Sequence, residues 1–127
     1  MYDNVDPAGE LIWLANKLLE VETAGKKAHI LAHHPSGNGD CMHMWSTQYR
    51  RIIDRFENTV VAQFHGHTHN DHFAVYYDLA DINRATSVSF TAGCGTPYSW
   101  INPNYRTYTL DADPTIMTVI TSTGLVI

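Results

Sequence analysis

The spacing of apolar side chains predicts two amphipathic helices in the first half of the chain. Apolar residues recur at helical intervals between positions 11 and 19, after Asp6-Pro7, a pair typical of an N-cap followed by the first helical residue. Gly25 ends this pattern. In the second helix, predicted over 49–56, apolar residues keep the i, i+3, i+4, i+7 spacing, and Ser46 is the candidate N-cap.

Two apolar runs, at 28–32 and 59–64, predict short buried strands, each followed by a loop that carries histidines and a glycine. The order helix, strand, helix, strand is typical of an α/β fold, in which ligands bind at the carboxyl ends of strands. The second half changes character, because turn-forming residues separate shorter apolar stretches. We expect these stretches to be mostly antiparallel strands, at 73–77, 88–91, 105–110 and 116–120.

The composition describes one folded unit, or part of one, with a negative net charge. The 127 residues are 44% hydrophobic, have a formal net charge of −5 and contain no repeat or flexible linker. Because the basic residues form no run, we expect neither a nucleic-acid surface nor charge-driven membrane binding. We also expect no transmembrane segment and no targeting signal, since no apolar run reaches roughly 18 residues and residues 1–6 lack the signal-peptide pattern.

Histidines are concentrated at the ends of the two predicted strands. If the backbone stays extended beyond the second strand, alternation places His65, His67 and His69 on one face, where neutral imidazoles can converge on one or two metal ions. At the end of the other strand, His33-His34 precedes Pro35, which restricts the turn that follows. Together the two loops supply several nitrogen ligands for a metal site.

Ordinary structural roles are the alternative for several neighbouring residues. A single histidine is usually a hydrogen-bonded residue rather than a ligand, which is our interpretation of His29, His43 and His72. The two roles are evenly balanced for His65. Asp71 could orient an imidazole, although a solvated loop aspartate is more common. For the aromatic residues of the second half, packing is favoured over lining a substrate pocket: Tyr98, Trp100 and Tyr105.

Two short motifs resemble signatures of the calcineurin-like metallophosphoesterases. Gly66-His67-Thr68-His69 resembles the last signature of that superfamily, and Ala32-His33-His34-Pro35 resembles the penultimate Gly-His-x-Pro signature. Further matches, in the same order along nearly the whole chain, resemble its acid sphingomyelinase branch: Asp6-Pro7-Ala8-Gly9, Phe56-Glu57-Asn58-Thr59, Ala62-Gln63-Phe64, Asn102-Pro103 and Tyr105-Arg106.

This resemblance implies a layered β-sandwich flanked by helices and a two-zinc phosphodiesterase centre, in which a metal-held water or hydroxide attacks phosphorus. By the same resemblance, His33 and His67 look like ligands of one zinc ion and His69 looks like a ligand of the other. His65, His34 and Asp71 are candidates for positions beside the ligands or facing the substrate. Ala32 and His34 depart from the family pattern, which usually has glycine and an apolar residue there.

The earlier signatures of the family, which supply the bridging carboxylate, an asparagine ligand and the proton donor, occur nowhere in this sequence. Residues 1–127 therefore resemble the carboxy-terminal part of the catalytic domain, and no residue here is assigned a certain catalytic role. The partner implied is the amino-terminal half. Cys41 resembles a cysteine that pairs with one upstream, which suits a secreted or lysosomal parent protein, whereas a reduced, packed thiol is the alternative for both Cys41 and Cys94.

Three functional hypotheses follow from these observations. In the first, the chain is part of an acid sphingomyelinase-like phosphodiesterase, with a phosphodiester such as sphingomyelin as substrate. In the second, it is a non-catalytic metal-binding or interaction module derived from the same fold. In the third, it belongs to a split enzyme that a partner chain completes. The residues around Asn102-Pro103 and Tyr105-Arg106 favour the sphingomyelinase branch.

Overall fold

The structure is a computed structural model that describes residues 5–98 and 100–126. Positions 1–4, part of the segment in which no targeting signal is expected, lie outside the described residues. Two helices and six strands follow one another: α1 (Glu10–Thr23), β1 (Ala28–Leu31), α2 (His43–Arg55), β2 (Val60–His65), β3 (His72–Tyr77), β4 (Ala85–Thr91), β5 (Asn104–Leu110) and β6 (Val119–Val126). The predicted α/β class and the order of elements are confirmed. None of the described helices is long and apolar enough to cross a membrane.

The amino-terminal end of α1 differs from the prediction. The helix begins at Glu10, because a turn closed by the Gly9 N–H and the Asp6 carbonyl precedes it and Gly9 adopts a positive φ of 70°. Pro7 is therefore not the first helical residue. The Asp6 carboxylate nevertheless accepts hydrogen bonds from the N–H groups of Leu11 and Ile12, both at 3.1 Å, and so satisfies helix donors from outside the helix.

The prediction that Ser46 caps the second helix is wrong. Helix α2 begins three residues earlier, at His43, with Met42 at the N-cap position. The Ser46 hydroxyl instead accepts a hydrogen bond from the Gly37 N–H at 3.0 Å and donates one to the Cys41 Sγ at 3.1 Å. The Ser46 hydroxyl is therefore bonded to the loop before α2 and is not available to cap the helix.

Strands β1 to β4 form one sheet in the order β1-β2-β4-β3, and β5 and β6 form a separate antiparallel pair. The second half was expected to be mostly antiparallel, which holds for β3 with β4 and for β5 with β6, whereas β4 pairs with β2 in parallel. The last strand begins at Val119 rather than near 116. A turn in which the Asp113 carbonyl accepts hydrogen bonds from Ile116 and Met117 occupies the preceding residues.

The helices and the β5–β6 pair lie on opposite faces of the four-stranded sheet. The buried side chain of Gln63 accepts a hydrogen bond from the Tyr49 hydroxyl of α2 at 2.7 Å. The next residue, Phe64, contacts Tyr108 of β5, with 4.7 Å between ring centroids. Because successive side chains of a strand point to opposite faces, these two contacts place one layer on each side of β2.

Apolar side chains are exposed along α1 and β1. Strand β1 has β2 as its only neighbour among the described strands, so the strand that was predicted to be buried is an edge strand. Leu31 is 78% exposed and Trp13 of α1 is 61% exposed. Parallel strands are normally covered on both faces, whereas the apolar side chains on this side of the sheet are exposed.

Candidate metal centre

The two histidine loops leave the sheet side by side. Strands β1 and β2 are parallel neighbours, and their pairing continues past Leu31, because the Ala32 N–H donates to the Phe64 carbonyl at 3.1 Å. One step further, the Gly66 N–H donates to the His33 carbonyl at 3.0 Å. The register of the two strands therefore brings the loops that follow them together at the carboxyl edge of the sheet.

His34, Asp40 and His67 form the one group of three potential metal ligands found within the described residues. Each offers one ligand atom, and these atoms lie within 4.8 Å of one another. The rings of His34 and His67 are tilted by 32° with centroids 3.6 Å apart. His67 Nε2 lies 3.1 Å from a carboxylate oxygen of Asp40, within hydrogen-bonding distance. His33 stands next to this group, with its ring centroid 5.3 Å from that of His67.

The backbone after β2 does not remain extended, so the premise for placing three histidines on one strand face is wrong. Strand β2 ends at His65, and both His67 and His69 have positive φ angles, of 71° and 63°. A Thr68 N–H to Gly66 carbonyl hydrogen bond of 2.9 Å closes the turn between them. The turn sends His67 toward His33 and His34, whereas His69 contacts Tyr98, with ring centroids 6.2 Å apart.

His65 belongs to the sheet rather than to the loop. It is buried in β2, where its Nδ1 shares a hydrogen bond of 2.8 Å with the Ser89 hydroxyl of β4. Burial lowers the pKa of His65, because removal from water disfavours the charged imidazolium. The hydrogen bond between His65 and Ser89 fixes the end of β2, where the histidine loop begins.

The sequence of the chain is similar to those of one group of known proteins. No protein-family model matches the chain. It is 44% identical over 113 residues to the sphingomyelin phosphodiesterases of Bos taurus and Homo sapiens, and 41% identical over 110 residues to sphingomyelin phosphodiesterase 2 of Caenorhabditis elegans. The chain is related to the sphingomyelin phosphodiesterases. The matches cover 89%, 89% and 86% of this chain but 18% of each relative, so the chain spans about 18% of their length.

The relationship confirms the acid sphingomyelinase-like resemblance that the motifs indicate. Within this sphingomyelin phosphodiesterase-like segment, the donor set near His67 suits a single metal ion. Two imidazoles and one carboxylate are ligands that divalent transition metals accept. In addition, Nδ1 of His34 and Nδ1 of His69 are buried without a hydrogen-bond partner among the described residues. Such a nitrogen can bind a metal ion or accept a hydrogen bond.

Asp40 is the residue at this site that sequence reasoning missed. It lies 27 positions before His67, in the loop between β1 and α2, and no periodicity connects the two. The available signal was the acidic residue that follows Gly37-Asn38-Gly39, since glycines allow a loop to fold back toward a neighbouring strand end.

Asp71, a candidate for a place beside the ligands, forms an ion pair with Arg106 of β5 at 2.6 Å, and both side chains are partly shielded from solvent. We expect Asp71→Ala to lower the free energy of unfolding by about 1–3 kcal/mol, because it leaves a desolvated guanidinium without its partner. Metal binding by the chain should be unchanged. Urea unfolding and metal titration of the same variant check both statements, and a loss of metal binding as large as that of His67→Ala would contradict this assignment.

Two of the histidines with ordinary expected roles have them, whereas the three aromatic residues of the second half are exposed. His29 Nε2 lies 2.7 Å from the Met117 carbonyl, and His72 Nδ1 lies 3.1 Å from the Asn70 carbonyl, so each ring has a backbone partner away from the His34, Asp40 and His67 group. The packing role predicted for Trp100 is wrong, because its side chain is fully exposed in a turn where its φ is 62°. Tyr98 and Tyr105 are also exposed.

Proposed function

We propose that this chain is the carboxy-terminal part of a calcineurin-like metallophosphoesterase domain and contributes histidines to a two-zinc centre that hydrolyses a phosphodiester. One observation carries the proposal: the parallel pairing of β1 and β2 brings His33 and His67, the histidines of both matching signatures, within 5.3 Å between ring centroids. The relationship to sphingomyelin phosphodiesterases over 113 residues supports the same conclusion independently.

In this proposal His33 and His67 hold one zinc ion and His69 holds the other. Bound zinc would supply a Lewis acid and a hydroxide nucleophile at neutral pH. The chain's own contribution is to position the imidazoles. Gly66 lies directly beside one of these rings, since a Cβ there would be in van der Waals contact with Nδ1 of His33 at 3.4 Å. The buried, unpartnered Nδ1 of His69 also fits the role of a ligand nitrogen.

The proposed centre needs ligands from outside the chain. Two divalent cations carry four positive charges, and the neutral imidazoles of His33, His67 and His69 balance none of them, so the centre needs more carboxylates than Asp40 beside His67 could supply. The exposed apolar surface of Leu31 and Trp13, beside the open edge of β1, supports an amino-terminal half that covers this side of the sheet. Such a half would also complete the layered β-sandwich, to which the chain supplies helices on one face of a sheet and a strand pair on the other.

Sphingomyelin is the proposed substrate, because it is the compound in the names of the relatives. A secreted or lysosomal parent protein is also part of the proposal. In such a compartment Cys41 would pair with a cysteine of the amino-terminal half; in the chain as described it is free and partly buried, and its sulfur accepts the Ser46 hydroxyl.

The experiment that tests the proposal is a chimera in which this chain replaces the matched 113-residue segment of the Homo sapiens relative. We expect the folded chimera to hydrolyse sphingomyelin and a chromogenic phosphodiester, and the isolated chain to hydrolyse neither. The unaltered relative is the positive control. A chimera that melts cooperatively, contains zinc and has no turnover would contradict the proposal.

A non-catalytic metal-binding module is the second candidate function. The observation in its favour is that His34, Asp40 and His67 come together within this chain alone. A module of this kind would be a monomer with a cooperative melt and would bind metal without hydrolysis, and the chimera would stay inactive. The split-enzyme hypothesis predicts instead that the remaining part of the relative restores turnover when it is supplied as a separate chain.

A further inference from the structure

We propose that the chain by itself binds one divalent metal ion, with zinc the best-suited metal, through His34, Asp40 and His67. This ligand set differs from His33, His67 and His69, which the proposed two-zinc centre uses. The two sets share His67 but are otherwise made of different residues. The proposed site stands on the geometry of the three side chains and does not depend on the proposed hydrolytic function.

The three side chains are already close to a ligand arrangement. Their donor atoms lie within 4.8 Å of one another, and tetrahedral zinc with bonds of roughly 2.0–2.1 Å places its ligands about 3.3 Å apart. His67 Nε2 and the Asp40 carboxylate, at 3.1 Å, already have that spacing. Closing the group around an ion therefore requires movements of about 1.5 Å or less at the donor atoms.

The loop that carries Asp40 can make such a movement. Its carboxylate is 75% exposed, and Gly37 and Gly39 before it have open space where a Cβ would be. Besides its contact with His67, Asp40 is bonded locally, through its N–H to the Asn38 side chain at 3.0 Å. His34 and His67 lie beside each other at the strand ends, with 3.6 Å between ring centroids, and the remaining movement is that of the His34 ring away from this contact.

The donor set selects the class of ion. Two imidazole nitrogens and one carboxylate oxygen are the ligand types of zinc sites with an open fourth position, whereas calcium and magnesium prefer oxygen ligands throughout. His34 has a buried Nδ1 without a hydrogen-bond partner among the described residues, and its ring is tilted by 32° to that of His67. A metal bond to His34, Asp40 and His67 would leave that fourth position for water.

The test is zinc titration of the untagged chain by calorimetry, with zinc content measured by plasma mass spectrometry after dialysis. We expect one ion per chain. His34→Ala and Asp40→Ala should each weaken zinc binding at least about tenfold, because each removes a direct ligand, and His72→Ala, the matched control, should change it less than about twofold. Asp40→Asn keeps the side-chain shape and should weaken binding as Asp40→Ala does. Circular dichroism verifies that each variant folds.

The result that would overturn the inference is unchanged zinc affinity in folded His34→Ala and Asp40→Asn chains, with the loss of binding falling on His33→Ala and His69→Ala. That outcome would leave the proposed two-zinc centre intact. Failure of the proposed function alone gives a different result. If the chain binds zinc through His34 and Asp40 but the chimera does not hydrolyse phosphodiesters, the proposed function fails and the site in the isolated chain stands.

Discussion

His67→Ala in the chimera is expected to reduce hydrolysis of a phosphodiester by more than about 100-fold and to release zinc together with activity. Loss of a residue that merely orients a metal ligand already costs about 10–100-fold, so loss of a direct ligand should cost more. His67 is the strongest position for this test, because its ring lies 3.6 Å from that of His34 and 5.3 Å from that of His33. His67 belongs both to the proposed two-zinc centre and to the proposed site in the isolated chain.

The matched control is His72→Ala, which removes an imidazole five residues away. Its Nδ1 lies 3.1 Å from the Asn70 carbonyl in a local turn, and its side chain is exposed. We therefore expect turnover and zinc content close to those of the unaltered chimera. If His72→Ala lost as much activity as His67→Ala, or if His67→Ala kept its full zinc content, the assignment of His67 as a zinc ligand and of His72 to an ordinary structural role would be refuted.

Ile53→Ala is expected to lower the free energy of unfolding of the chain by about 2–5 kcal/mol, the usual cost of removing a large aliphatic side chain from a core. Ile53 is 1% exposed and lies in the cluster formed by α1, α2 and the start of β2. Because the buried core among the described residues is small, a loss of that size removes much of the total stability.

Ile12→Ala on α1 is the control for this substitution, because it removes the same atoms from a side chain that is 62% exposed. We expect it to cost less than about 1 kcal/mol in the isolated chain. Urea denaturation followed by circular dichroism measures both values. Equal costs for Ile53→Ala and Ile12→Ala would mean that the chain does not pack around α2 as described.

Periodicity predicted the elements of this fold but not their ends. The apolar spacing located both helices, and the strands of the first sheet lie within a few residues of their predicted positions. The ends failed where tertiary contacts took over a side chain or bent the backbone. Ser46 is bonded to Gly37 rather than to its own helix end, and the turn at Asp113 delays the last strand. The spacing of apolar residues within one segment does not show which hydrogen-bond partners its side chains will find elsewhere in the chain.

The sequence predicted the parts of the candidate site that depend on short motifs, but not those that depend on how the loops fold. The motifs around His33 and His67 located both loops, and parallel pairing brought them together. The positive φ angles of His67 and His69 were not predictable from alternation, because they arise in a turn that begins where the strand ends. Asp40 was missed for a related reason: its approach to His67 depends on how a glycine-containing loop folds back over the strand ends.

The most direct test of the central claim is the zinc content of the purified chimera compared with that of the isolated chain, measured by plasma mass spectrometry without chelators. We expect two zinc ions in the chimera and no more than one in the chain alone, because the chain provides imidazoles from the loops after β1 and β2 but lacks the carboxylates that a second ion needs. Two tightly held ions in the isolated chain, with turnover of a chromogenic phosphodiester, would contradict it.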